Sequence, residues 1–131
     1  MIPAWADPYV GLPYRDKGRA FDGVDCYGLV RLIYLARFNI NLPSYDDAYL
    51  TSEHGECAID EHCLNNDSWI RITEPIAGAV VVLLIGGKPN HVGVMLDETK
   101  MIHSLKGHDS AIEDVTRIKW RSRIKGFFIH V

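Results

Sequence analysis

One stretch, Asp22-Gly23-Val24-Asp25-Cys26-Tyr27-Gly28-Leu29-Val30-Arg31-Leu32-Ile33-Tyr34, constrains this chain more than any other. Asp25 suits a helix N-cap, because its carboxylate can accept from the free N–H groups of a first helical turn. Behind it Cys26, Leu29, Val30 and Ile33 fall at i, i+3, i+4 and i+7, and Leu29, Leu32, Ile33 and Ala36 repeat the spacing. Two overlapping apolar stripes predict a helix buried over most of its surface and ending near Phe38-Asn39. Cys26 then stands in its first turn, where free N–H groups and the helix dipole favour a thiolate and lower the thiol pKa. The same place also suits a small buried hydrophobe, the ordinary role of a free cysteine.

A chain of 131 residues is expected to form one domain, residues 1–131, with a substantial core. Its net charge of −3 offers no electrostatic reason to expect nucleic acid or an anionic membrane as partner. Three irregularly spaced cysteines make no disulfide framework. The longest apolar run, Ala79 to Ile85, is too short to span a bilayer. The start, Met1-Ile2-Pro3-Ala4-Trp5-Ala6-Asp7, has no basic region leading into an apolar run, so the expectation is synthesis in a cytoplasm without a signal peptide.

Pro3, Pro8, Gly11, Pro13 and Gly18 limit residues 1–20 to turns and one short helix over Ala4 to Tyr9. Tyr14, twelve positions before Cys26, can pack in the core or donate a hydrogen bond near the thiol. Residues 47–66 read as weakly helical and contain His54, Cys57, His62 and Cys63, types that can ligate zinc. Their spacing matches no standard zinc signature, so a helical insert is preferred and no metal or cofactor is expected. From Trp69 onward the period becomes two. Ser68 to Ile72 is a short strand, and the β-branched run Ala79 to Ile85 is a central strand covered on both faces. A turn over Gly86 to Asn90 leads to a hairpin, His91 to Leu96 and Lys100 to Leu105, across Asp97-Glu98-Thr99. Ile112 to Val115, a turn or helical piece over Thr116 to Arg121, and a closing strand Gly126 to Val131 follow. Helices first and a mostly antiparallel sheet afterwards define an α+β fold.

His91 and His103 lie on the two strands of that hairpin. If it turns about residue 97, they oppose each other directly on one face, whereas a loop one residue different puts them on opposite faces. One imidazole near Cys26 could take the thiol proton and the second could orient the first, the arrangement of covalent catalysis. Two histidines twelve apart can equally be cross-strand neighbours with no shared task.

The order of these features, Tyr9-Val10-Gly11-Leu12-Pro13-Tyr14, Gly23-Val24-Asp25-Cys26-Tyr27-Gly28-Leu29-Val30, His91-Val92-Gly93-Val94 and Met101-Ile102-His103-Ser104, resembles the NlpC/P60 family. These are papain-like cysteine peptidases that cut peptidoglycan stem peptides. The resemblance implies Cys26 as nucleophile, His91 as base, His103 as the orienting residue, Tyr14 beside the cysteine, and Asp25 as an acid holding the free amine of a stem peptide. It also implies that the Cys26 N–H, with Tyr14 OH, stabilises the oxyanion. Two positions depart from the pattern. Tyr27 replaces the family's usual serine in the substrate groove, and Ala79 replaces an aspartate after Pro-Gly. An aromatic after the cysteine, with Gly28-Leu29-Val30-Arg31 and Leu42-Pro43-Ser44-Tyr45 behind it, resembles the variant in bacteriophage and prophage tail proteins. That implies a virion tail-tip component acting at the bacterial wall, with tail or hub proteins as partners. A non-enzymatic tail protein that keeps the fold as scaffold is the alternative.

Overall fold

The computed structural model describes residues 1–43 and 68–131. The expected helix over 47–66 and its His54, Cys57, His62 and Cys63 lie outside the described residues. A 3-10 helix, Ala4–Tyr9, opens the chain, tolerating Pro8 because it is short. Two short strands, β1 (Arg19–Ala20) and β2 (Gly23–Val24), then pair antiparallel and deliver the chain to helix α1, Cys26–Phe38. Asn39 closes α1 in the left-handed region, at φ 56°.

The remaining strands are β3 (Trp69–Ile72), β4 (Val80–Ile85), β5 (Lys88–Met95), β6 (Lys100–His103), β7 (Ala111–Asp114) and β8 (Ile124–His130). A short helix, α2 (Ile118–Arg121), precedes β8. They form one antiparallel sheet in the order β3-β8-β4-β5-β6-β7, so the last strand inserts between β3 and β4. The fold is α+β, as the sequence implies. Both sheet faces are covered. Leu29, Val30 and Ile33 of α1 pack with Val80, Val82, Val92, Val94 and Ile102, while Val81, Leu83, Met95 and Met101 pack with Trp120 of α2. That is why the run over β4 is continuously apolar.

Two turns differ from expectation. The turn before β5 is only Gly86-Gly87, both at positive φ, with Ile85 paired to Lys88. Two such glycines close a hairpin unaided, so Lys88, Pro89 and Asn90 join the strand. The next hairpin turns about Glu98 and not about residue 97, since Gly93 pairs with His103 and Met95 with Met101. Asp97 sets this centre: its Oδ1 accepts from the N–H groups of Thr99 and Lys100, at 2.8 and 2.7 Å.

Candidate active site

Cys26 is the first residue of α1 and is buried. The cap that starts this helix is Asp25, whose Oδ1 accepts from Gly28 N–H at 2.7 Å and from Arg19 Nη1 at 3.0 Å. Its Oδ2 accepts from Lys17 N–H at 3.0 Å. The Asp25 carboxylate is therefore wholly inside the protein, at 0% exposure, with both oxygens engaged. Gly28 is required where it stands, because a Cβ there would lie 1.9 Å from the Gly18 carbonyl oxygen. The loop before β1 thus crosses directly over the first turn of α1 and holds Cys26 in place. The thiol itself reaches β5: Cys26 Sγ is 3.9 Å from the carbonyl oxygen of Asn90, the neighbour of His91.

His91 and His103 point to the same face. Their contact is diagonal, because His103 sits opposite Gly93 and not opposite His91. A two-residue displacement preserves the face, and long side chains span the diagonal. His91 Nε2 and His103 Nδ1 are 2.8 Å apart. On the far side His103 Nε2 meets Glu113 Oε2 at 2.6 Å, and Lys119 Nζ stands 3.6 Å from the other Glu113 oxygen. The Trp120 ring stacks on His91 with 18° between planes and meets His103 edge-on at 83°.

Burial pushes His91 down to about 3, with the neighbouring His103 adding to the effect. Burial likewise lowers His103, against the opposing pull of Glu113. For Glu113 burial acts upward, but Trp120, His103 and Lys119 together outweigh it and hold the carboxyl below its usual range. The Trp120 Nε1 meets no acceptor at hydrogen-bonding geometry, yet the indole N–H is close enough to stabilise that carboxylate. The cluster is thus two neutral imidazoles in file, ending on an ionised carboxylate.

Residues 11–128 match the family model described as "NlpC/P60 family". The chain belongs to the NlpC/P60 family. A curated relative from Haemophilus influenzae, named "Probable endopeptidase", is 28% identical over 106 residues, covering 79% of this chain and 57% of that protein. The chain thus spans little more than half of that relative's length. Among solved structures the NlpC/P60 domain of the peptidoglycan hydrolase SagA aligns with a TM-score of 0.63 at 23% identity, covering 98% of this chain and 94% of that one. A lipoprotein-like NLP/P60 family protein of Staphylococcus aureus aligns at 0.65 and 20% identity, covering 96% and 39%. These likenesses show the NlpC/P60 fold.

Within this NlpC/P60 framework the other expected site residues are placed as follows. Tyr14 bridges Val24, two residues before Cys26, and its OH donates to Asp16 Oδ1 at 3.2 Å. Tyr27 is buried under the Arg19 guanidinium, and its OH donates to the Pro43 carbonyl at 2.6 Å. Arg31 Nε donates to the Leu42 carbonyl at 2.9 Å. Tyr27 and Arg31 therefore clamp Leu42-Pro43, the exit from α1, and the Tyr27 hydroxyl is turned to the protein and not to a groove. Asp25 is likewise engaged as cap and ion-pair partner, leaving no exposed oxygen for the amine that the resemblance assigns to it. Sequence reasoning missed Glu113 and Trp120. Both sit in segments read as a strand and a turn, and only the β6–β7 register and the fold of α2 bring them to the histidines.

Proposed function

We propose that this chain is a cysteine peptidase of peptidoglycan stem peptides, with residues 1–131 as its peptidase domain. The observation that carries it is the His91–His103 contact of 2.8 Å on the strand that Cys26 Sγ reaches from the N-terminus of α1. His91 spends Nε2 on His103, so Nδ1 is its basic atom. In this reading Nδ1 takes the Cys26 proton as the sulfur attacks the scissile carbonyl carbon. The resulting oxyanion is met by the Cys26 N–H at the helix terminus, with Tyr14 OH the second donor once it turns from Asp16 Oδ1. His91 returns the proton to the leaving amine and the acyl-enzyme remains. Water then attacks, giving its proton to His91, and Cys26 leaves as the thiol. Asp25 acts here through the helix it caps and Tyr27 through the loop it clamps. Membership of the family and the names of its relatives support the substrate class.

The finer reading is a tail-tip component of a phage or prophage, meeting the wall from a virion. It is supported by Tyr27 in the serine's place and by its bond to Pro43, which joins the two parts of the tail-type sequence pattern. Mass spectrometry of purified particles should find the chain, and its absence from virions would overturn the tail assignment alone. One observation favours the non-enzymatic alternative: Cys26 is 1% and His91 4% exposed. Incubation with purified peptidoglycan and mass spectrometry of released peptides decides. Peptides released by the unmodified protein and not by Cys26→Ala support the peptidase. No release by either supports the scaffold.

A further inference from the structure

We propose that Glu113 is a positioning residue that fixes the proton arrangement of both histidines through a single hydrogen-bonded file. The inference rests on His91 as the base and goes beyond it, since it says which atom is basic and why. An ionised carboxylate can only accept, so His103 Nε2, 2.6 Å away, must carry hydrogen. A neutral imidazole has one N–H, so His103 Nδ1 is an acceptor. His91 Nε2, 2.8 Å from it, must then be the donor. His91 in turn has one N–H, and its Nδ1 is left with the lone pair. The charge on Glu113 thus selects the basic nitrogen of a ring it never touches. A donor at position 113 would invert every member of the file and place hydrogen on His91 Nδ1, the tautomer unable to accept the thiol proton.

The sheet builds this file by a repeated offset. His103 pairs with Gly93 on one side and with Ala111 on the other. His91 lies two residues from the first partner and Glu113 two residues from the second. The three side chains therefore step diagonally across β5, β6 and β7, each within reach of the next. The groups around the file are Lys119 and Trp120 from α2 and His108 from the β6–β7 connection. Lys119 and the Trp120 N–H favour the ionised carboxylate, so both keep Glu113 an acceptor.

The test reads the ring nitrogens directly. In Cys26→Ala protein, ¹⁵N NMR of the histidine rings should show hydrogen on Nε2 and a bare Nδ1 for both His91 and His103. Adding Glu113→Ala should give a mixture of tautomers on both rings. In protein with its cysteine, Glu113→Ala should lower kcat about ten- to a hundredfold, the scale of one charge-assisted hydrogen bond, with KM nearly unchanged. Because Glu113 is one-third exposed, formate in the buffer should reach the vacated place and restore part of kcat in Glu113→Ala while leaving the unmodified protein unaffected. Glu113→Gln keeps the shape, so a folded Gln variant with mixed tautomers excludes mere loss of packing. Unchanged ring shifts in Glu113→Ala overturn the proposal, as does a kcat loss that comes with a lowered melting temperature and no rescue by formate. The NMR measurement needs no substrate. If the tautomers depend on Glu113 while the unmodified protein releases no peptide, the peptidase reading fails and the role of Glu113 stands.

Discussion

At His91 the two ring nitrogens have different tasks, and that difference predicts unequal mutants. His91→Ala removes the group that handles the proton and should lower kcat/KM by roughly a thousandfold, within the usual range for a general base. His103→Ala leaves the base present but unanchored. A glutamine at 103 can accept from His91 Nε2 through its side-chain oxygen, so His103→Gln should retain at least about tenfold more activity than His103→Ala. Equal activity of the two variants would remove the orienting role from His103. Burial also decides the pH profile. His91 is held to about 3, so in the free enzyme it stays neutral far below the ordinary imidazole value. The acid limb of kcat/KM should therefore fall below about pH 6.5, the unperturbed value. A limb at or above that value would show His91 charging as an exposed histidine does. The histidine pair was legible in the sequence because both lie on strands of one hairpin. Glu113 was not, because its link to His103 depends on the register across β6 and β7, which the intervening turn sets.

At the scale of elements, the first turn of α1 is where local and tertiary signals meet. The helix could be read from sequence since its cap and its apolar spacing are local. The burial of Asp25 could not, because Lys17 and Arg19 arrive from the turn before β1 and from β1 itself, which fold back over the cap. That loop makes Gly28 a test. Helix propensity alone says that Gly28→Ala should stabilise by roughly 0.5 to 1 kcal/mol. The Gly18 carbonyl, 1.9 Å from the would-be Cβ, says the opposite. The clash wins, because backbone on both sides must move. We expect Gly28→Ala to destabilise by about 2 kcal/mol or more in denaturant unfolding. A more stable variant would mean that the loop does not sit on the helix. Sheet order was the least legible part at this scale. Each strand after residue 68 announces itself by period, but the insertion of β8 between β3 and β4 is a pairing between distant segments, and strand patterns carry no such address.

For the whole molecule, the site's neutral histidines set a direction for stability against pH. A histidine in the unfolded chain takes its proton near pH 6.5, whereas folded His91 takes it only near 3. Between those values the unfolded state binds the extra proton, so folding is favoured at high pH and weakens as pH falls. His103, also lowered by burial, adds in the same sense. Asp97 belongs to a lower window. Burial would raise it, but the Thr99 and Lys100 N–H groups and the terminal ammonium prevail, so its contribution is lost only as pH falls through the carboxylate range. The two windows separate the histidines from the acids. Between pH 7.5 and 5.0 the free energy of unfolding, from denaturant titrations, should drop by about 2 kcal/mol for His91 alone, at roughly 1.4 kcal/mol per pH unit. His91→Gln should be less stable at pH 7.5 yet lose much of that slope, because the side chain that charges on unfolding is gone. A flat profile over this window, or an equal slope in His91→Gln, would show that His91 is not held neutral by the fold. In that case the file from Glu113 through His103 would lose the neutral ring on which its direction depends.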